Sequence, residues 1–223
     1  QMNSWLQYDF GLEVSINISS HHLQSSIFFD QLNEALDNYP KVDSQLLQLE
    51  ILESSALGDL EAISGIIKSC QNVLGVNVAL DDFGTGYSSL THMKNLPANT
   101  IKIDQTFVRD LLDDPNDYSI IKGIIGLTKA FNREVIAEGV ETTNHGIMLI
   151  IMGCNKAQGY GISHALPAND LVTWLTNYKP NQHWIDYGNT QLSAQEQKII
   201  LLQLTTECWF NNVKIILLSV EDS

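Results

Sequence analysis

Two adjacent carboxylates, Asp81 and Asp82, lie at the end of a short apolar run that begins at Asn77. Neighbouring acidic residues usually mark a solvated turn. At the end of a buried strand, however, two unpaired charges are costly, and a bound cation would relieve that cost. The pair alone therefore leaves two interpretations open, a solvated turn or a metal site.

Other apolar runs along the chain also end in polar or charged side chains. Lys102 and Asp104 are two residues apart, so on a strand they would share one face. Lys102 is either a surface lysine whose stem covers apolar neighbours or a cation that meets an anionic ligand. A lone glutamine such as Gln158 is more often ordinary loop polarity. The residues at the run ends are Asn17, Glu50, Asp81, Asp82, Lys102, Asp104, Glu138 and Gln158.

Six apolar runs have the length and composition of buried parallel strands. The stretches between them are longer and have helical spacing, as in the recurrence of Ile63, Ile67, Cys70 and Leu74. Strands that alternate with helices predict a parallel α/β sheet or barrel. The predicted strands are 14–19, 46–52, 77–82, 100–104, 134–138 and 155–160, and the helical stretches include 27–38, 60–74, 118–131 and 142–152.

The polar run ends favour a barrel over an open sheet. In a (β/α)₈ barrel the C-terminal ends of all the strands converge on one mouth, where such enzymes place their chemistry. An open doubly wound sheet would collect ligands only near its topological switch point. A barrel needs eight strands, and the sequence supplies six.

Composition excludes several classes of protein. The chain has 12 basic and 26 acidic residues and a formal net charge of −14, so we expect no sequence-independent binding to DNA or RNA. Its three cysteines, Cys70, Cys154 and Cys208, form no C-x-x-C pair, which favours a reducing cytoplasm. No apolar run approaches the ~18 residues of a membrane span, although tethering by other sequence stays open.

Residues 81–90 read DDFGTGYSSL and match at every position the signature of EAL domains, the phosphodiesterases that open cyclic di-GMP. Other motifs resemble the family in the same order, over about residues 1–175. They are S-I-N-I-S at 15–19, L-E-I-L-E-S at 49–54, I-K-I-D at 101–104, A-E-G-V-E-T at 137–142 and Q-G-Y at 158–160. The resemblance implies a TIM-type (β/α)₈ barrel.

Besides Leu52, which stands at a variable position where the family motif has Thr, the sequence departs from the family pattern in two places. From Gln158 onward the usual Q-G-Y-L-F-S-R-P-L-P reads Q-G-Y-G-I-S-H-A-L-P. The two strands that open the family's barrel, the second with its E-A-L motif and metal-binding Glu, are not found, so we expect a truncated domain. We divide the chain into an EAL-type domain at 1–175, a linker at 176–192 and a helical C-terminal extension at 193–223.

The resemblance implies two Mg²⁺ or Mn²⁺ ions. Asn17, Glu50 and Asp81 match ligands of the first ion, and Asp81 would bridge to a second ion held by Asp82 and Glu138. Ligand sets made only of oxygen suit these ions better than Zn²⁺.

The resemblance also implies roles around the ions. Glu138 would be the general base, a ligand of the second ion, or both, and Lys102 would contact the attacking water or a phosphate oxygen. Gln158 matches a substrate-binding residue. Three acidic residues would support the site. Asp104 would be a partner of Lys102 or an outer metal ligand, and Glu53 would anchor the loop at 83–90. Glu141 would lie behind the metal ligands, or would only be a carboxylate that the dipole favours at a helix N-terminus.

The implied function is metal-dependent hydrolysis of cyclic di-GMP to linear pGpG in bacterial signalling. The alternative is an inactive EAL-type module that binds the nucleotide or mediates dimerisation. We expect a homodimer, and a GGDEF cyclase or sensory domain upstream would be common for the family. The 223 residues alone are expected to be inactive.

Overall fold

The chain forms strands and helices in alternation. The structure, a computed structural model, describes residues 1–8, 11–56, 60–86 and 89–189. One compact unit holds Gln1–Lys102, and a second begins at Ile103. Within the described ranges the strands are β1 (Val14–Asn17), β2 (Leu47–Leu52), β3 (Asn77–Phe83), β4 (Thr100–Ile103), β5 (Glu134–Glu138) and β6 (Lys156–Gln158).

The helices follow the strands along the chain. Short 3₁₀ turns cover Leu6–Tyr8, Ser44–Leu46 and Glu53–Ala56, and a π-helical turn covers Cys70–Leu74. The α-helices are α1 (Met2–Trp5), α2 (Ser20–Leu23), α3 (Phe28–Asp37), α4 (Leu60–Ser69), α5 (Ser89–Asn95), α6 (Gln105–Asp110), α7 (Pro115–Ala130), α8 (Thr143–Met152), α9 (Ala168–Asn177) and α10 (Gln182–Asn189).

The first unit is a parallel sheet with strands in the order β1-β2-β3-β4. β1 pairs with β2, and β2 with β3, both in parallel. The predicted apolar stripe of α4 and the turn after it is buried, with Ile63, Ile67 and Cys70 at most 1% exposed. The spacing of these residues therefore predicted correctly which helix face packs in the core.

β1 is the edge strand of this sheet and is poorly covered. Ser15, Ile16 and Asn17 are exposed, and Ile16 retains 43% of its accessible surface. In β2, by contrast, every residue from Leu47 to Ile51 is buried. Within the described residues, β1 is thus a solvent-exposed edge strand.

In the second unit, β5 pairs in parallel with β6. α7 begins with Asp114 as its N-cap and Pro115 in its first turn, a combination typical of helix starts. Its buried face includes Ile121, Ile124 and Ile125. α8 ends at Gly153, whose φ of 90° gives the left-handed cap.

All six predicted strands are present, with ends shifted by at most two residues, and the predicted parallel α/β fold is confirmed. The predicted linker at 176–192 contains a helix, since Gln182–Asn189 forms α10. Trp184 of this helix packs on Gly146 of α8 and donates a hydrogen bond to Thr143 O at 2.9 Å. The helix expected within 193–223 lies outside the described residues.

Across the ranges that the structure describes, every helix is too short or too polar to cross a bilayer.

Candidate active site

One face of the sheet in the first unit carries polar side chains on adjacent strands. Asn17 pairs in register with Glu50, and Glu50 with Ala79. Asp81 lies two residues beyond Ala79, so it is on the same face as Glu50. Lys102 Nζ lies 2.9 Å from Glu50 Oε2 and 3.0 Å from Asp81 Oδ1. Residues from four strands thus contribute to one polar cluster.

The charges of this cluster are taken out of water. Glu50 and Asp81 are each 7% exposed, and Lys102 is 3% exposed. Burying charged groups is unfavourable unless they are paired and hydrogen-bonded. Two carboxylates against one ammonium leave a net charge of −2 + 1 = −1 among these three side chains, so the cluster favours a further cation.

The oxygens of the aspartate pair suit a divalent ion. Asp81 Oδ1 is buried and accepts no hydrogen bond from any described residue, although Lys102 Nζ is near it. Asp81 and Asp82 each offer a carboxylate oxygen, and these two atoms lie within 4.8 Å of each other. A buried oxygen without a hydrogen bond is costly, and coordination to a hard cation would relieve that cost. The residues present therefore fit Mg²⁺ or Mn²⁺.

The chain leaves β3 through an unusual backbone conformation. Asp82 has a φ of 53° and Gly84 a φ of 107°. A left-handed conformation is uncommon for a residue other than glycine, and it persists only where surrounding contacts hold it. Thr85 Oγ1 donates to Asp82 O at 2.9 Å, and Gly84 N donates to Glu53 Oε2 at 2.9 Å. Two hydrogen bonds, made by the two residues Gly84 and Thr85, therefore hold the turn that follows Asp82.

Glu53 lies directly under this turn. A Cβ added at Gly86 would come within 2.6 Å of Glu53 Oε1, so only glycine allows the backbone to approach so closely. His92 Nδ1 lies 3.3 Å from the same oxygen. Both Glu53 and His92 are almost completely buried, at 0% and 1% exposed.

In the second unit, Glu138 and Gln158 end adjacent strands and pair in register. The Gln158 amide donates a hydrogen bond to Glu138 Oε1. Glu138 is buried, and Gly139 follows it with a φ of 69°. A Cβ at Gly139 would come within 2.7 Å of Gln105 Cβ, so the turn after β5 requires glycine both for its backbone angle and for its packing.

Asp104 has a structural task in this unit. It is the N-cap of α6, and its Oδ1 accepts hydrogen bonds from Thr106 N, at 2.8 Å, and from the Thr106 hydroxyl. An N-cap carboxylate satisfies free N–H groups of the first helical turn. The sequence predicts Asp104 only as a partner of Lys102 or an outer metal ligand, so the capping role is found in the structure alone.

Glu141 lies at the start of α8. Partial burial raises the pKa of its carboxyl, and the nearby Arg109 guanidinium opposes this rise. Its backbone N–H donates to His145 Nδ1 at 3.3 Å. Burial lowers the pKa of His145 to about 4, with Asp110 opposing, so this imidazole is neutral near pH 7.

The structure thus brings together, in the first unit, Asn17, Glu50, Asp81 and Lys102, with Asp82 adjoining and Glu53 beneath the next turn. In the second unit it brings Glu138 and Gln158 together and sets Asp104 and Glu141 at the starts of two helices. The sequence motifs do not single out His92. Its spacing of four from Leu96 signals burial, but only the fold reveals its contact with Glu53.

Sequence relatives identify the family. The EAL domain family profile matches residues 1–165. Cyclic di-GMP phosphodiesterase PA2567 of Pseudomonas aeruginosa is 34% identical over 175 residues, and cyclic di-GMP phosphodiesterase PdeR of Escherichia coli is 35% identical over 182. These matches cover 78% and 80% of the chain but only 30% and 27% of the two relatives. The chain therefore spans less than a third of the length of these proteins.

Solved structures agree. The EAL domain of Mycobacterium smegmatis DcpA superposes with a TM-score of 0.76 at 33% identity, over 81% of each chain. The phosphodiesterase PaMucR, solved in complex with c-di-GMP, gives a TM-score of 0.71 at 34% identity, over 76% of this chain and 68% of that one. The fold is thus the TIM-type α/β fold of these domains, of which the described residues supply six strands. The chain belongs to the EAL domain family.

Proposed function

We propose that the protein carrying this chain hydrolyses cyclic di-GMP to linear pGpG with Mg²⁺ or Mn²⁺ bound at the carboxylate cluster. The observation that carries the proposal is the buried group of Glu50, Asp81 and Lys102, in which two carboxylates share one ammonium. Membership of a family whose relatives are named cyclic di-GMP phosphodiesterases supplies the substrate.

The chain offers oxygen ligands for two ions. Asn17, Glu50 and Asp81 would hold the first, and Asp81, Asp82 and Glu138 the second. When bound, such ions supply a Lewis acid and lower the pKa of bound water, as in other two-metal sites. The buried carboxylates are suited to this task because a cation relieves their mutual repulsion.

The reaction opens one of the two phosphodiesters of the cyclic substrate. A water oxygen forms a new bond to phosphorus, the bond from phosphorus to a ribose 3′ oxygen breaks, and that oxygen takes up a proton from solvent as it leaves. Glu138 would accept the proton that the attacking water loses. Its carboxylate accepts a hydrogen bond from Gln158, which orients it.

Lys102, Gln158 and Glu53 complete the proposed site. Lys102 would stabilise the negative charge that develops on the phosphoryl oxygens, a task that a buried ammonium performs better than an exposed one. Gln158 would contact the substrate. Glu53 would anchor the turn after Asp82, to whose Gly84 it is already hydrogen-bonded.

The test is an assay of the full-length protein in which this chain occurs. We expect conversion of cyclic di-GMP to pGpG with Mg²⁺ or Mn²⁺, none in EDTA, and inhibition by Ca²⁺, which is larger and coordinates more loosely. If the protein binds the nucleotide but does not turn it over with either metal, the alternative of an inactive binding module would replace the proposal of an enzyme. The homodimer and the upstream cyclase or sensory domain stay predictions.

A further inference from the structure

The buried carboxylate of Glu53 contacts both ends of the loop that follows the aspartate pair. At the start of the loop, Glu53 Oε2 accepts the N–H of Gly84 at 2.9 Å. At its far side, Glu53 Oε1 lies 3.3 Å from Nδ1 of His92, a residue of α5. The α5 helix begins only three residues after Gly86. One carboxylate therefore ties the strand end to the helix that follows it.

The direction of the His92 contact follows from its chemistry. A carboxylate oxygen accepts hydrogen bonds, so Nδ1–H of His92 is the donor that this 3.3 Å contact can provide to Glu53. With Glu53 at 0% and His92 at 1% exposure, water does not compete for the contact. The imidazole thus restricts the rotation of the carboxylate that receives the Gly84 N–H.

The turn that Glu53 holds is the one that sets the geometry of Asp82. This residue has a φ of 53°, which a non-glycine residue keeps only under external constraint. Leu52, which immediately precedes Glu53, pairs in register with Asp81. Glu53 thus follows the β2 residue that pairs with Asp81, and its carboxylate holds the backbone of Gly84, two residues beyond Asp82.

We propose that His92 is a positioning residue for the metal site. It holds Glu53, and Glu53 fixes the backbone of Asp81 and Asp82 in the arrangement that presents their carboxylates to a divalent ion. The inference rests on the proposed function of this pair as metal ligands. Its effect should be on metal affinity rather than on contact with the nucleotide.

The experiment measures Mn²⁺ binding to the full-length protein by calorimetry without nucleotide, and then the Mn²⁺ concentration for half-maximal pGpG formation. Replacing residues that orient metal ligands typically weakens metal binding by ~10–100-fold. We expect His92→Leu to weaken Mn²⁺ binding by about tenfold or more. The KM for cyclic di-GMP, measured at saturating Mn²⁺, should change little.

Two variants separate positioning from packing. His92→Asn places an N–H donor where Nδ1 stands and should recover most of the affinity. Met93→Ala opens a cavity at a fully buried neighbour on α5 and should lower thermal stability without changing Mn²⁺ affinity. If His92→Leu does not fold, His92→Gln takes its place in the experiment. The glutamine amide lies beyond the position of Nδ1, so this variant also lacks a donor at that position.

The inference would be overturned if a folded His92→Leu or His92→Gln variant, which lacks an N–H donor at the Nδ1 position, bound Mn²⁺ as tightly as the wild type. Equal weakening in His92→Asn or in Met93→Ala would also overturn it, because the effect would then be general loss of packing. A wild-type protein that binds Mn²⁺ but produces no pGpG would refute the proposed function, and the binding measurements alone would still decide the role of His92.

Discussion

At the scale of single residues, the proposed chemistry depends most on Glu138. Its carboxylate is buried at the end of β5 and accepts a hydrogen bond from Gln158. In the full-length protein we expect Glu138→Gln to reduce turnover by about two orders of magnitude or more, the scale of a positioned acid–base group. Binding of cyclic di-GMP should be retained better than turnover, and both are measured with Mn²⁺ present.

The same strand offers a matched control. Glu134 is exposed at the other end of β5, where it pairs with Lys156 at 2.8 Å. Glu134→Gln makes the same chemical change far from the strand end that carries Glu138, and should leave turnover close to that of the wild type. Near-normal turnover in Glu138→Gln would remove this residue from the mechanism.

His145 gives the fold a pH dependence that can be measured separately. Its pKa is lowered by burial to about 4, against 6.5 for a free histidine. Between these values the unfolded chain binds a proton that the folded chain excludes, so stability falls as the pH falls through this window. The full shift corresponds to about 3 kcal/mol.

The variant His145→Asn removes the titrating ring and keeps an acceptor for the Glu141 N–H. We expect urea denaturation at pH 7 and at about pH 4.5 to show a smaller loss of stability in this variant than in the wild type, by about 2–3 kcal/mol. Parallel losses in the two proteins would show that His145 is not buried in its neutral form.

At the scale of elements, the packing of α10 on α8 makes a counterintuitive prediction about a glycine. Alanine favours a helix over glycine by ~1 kcal/mol. A Cβ at Gly146 would nevertheless lie 2.3 Å from Trp184 Nε1, so Gly146→Ala forces the tryptophan to move. Overpacking of this kind costs ~1–3 kcal/mol, and we expect a lower melting temperature.

Gly123→Ala is the control for this substitution. Gly123 is within α7, and a Cβ there meets nothing within 4 Å. This variant should melt at a temperature equal to or a few degrees above that of the wild type, since ~1 kcal/mol shifts a domain of this size by ~2–4 °C. A stabilised Gly146→Ala would contradict the packing of Trp184 on α8.

The elements that sequence predicts well are those fixed by local signals. The six strands follow from apolar runs bounded by turn residues, and Ile63, Ile67 and Cys70 mark the buried side of α4 and its following turn by spacing alone. The features that it misses depend on distant contacts. Three features need residues that only the fold brings together. They are the left-handed backbone of Asp82, the contact between Glu53 and His92, and the packing of Trp184 on Gly146.

At the scale of the whole molecule, the solvated edge of β1 predicts how the 223 residues behave when expressed alone. An exposed edge strand that carries the exposed Ile16 invites pairing with another chain. We expect a broad thermal transition, self-association on sizing, and no pGpG formation. A sharp melt of a monomer with turnover would show that this sheet edge needs no partner.

The central claim is that the full-length protein cleaves cyclic di-GMP by attack of water at a metal site that contains Asp81. The most direct measurement is mass spectrometry of the product formed with Mn²⁺ in water enriched in a heavy oxygen isotope. The account predicts pGpG with one heavy oxygen in its terminal phosphate, and no product from Asp81→Asn or in EDTA. Product without the isotope, or equal product from Asp81→Asn, would contradict it.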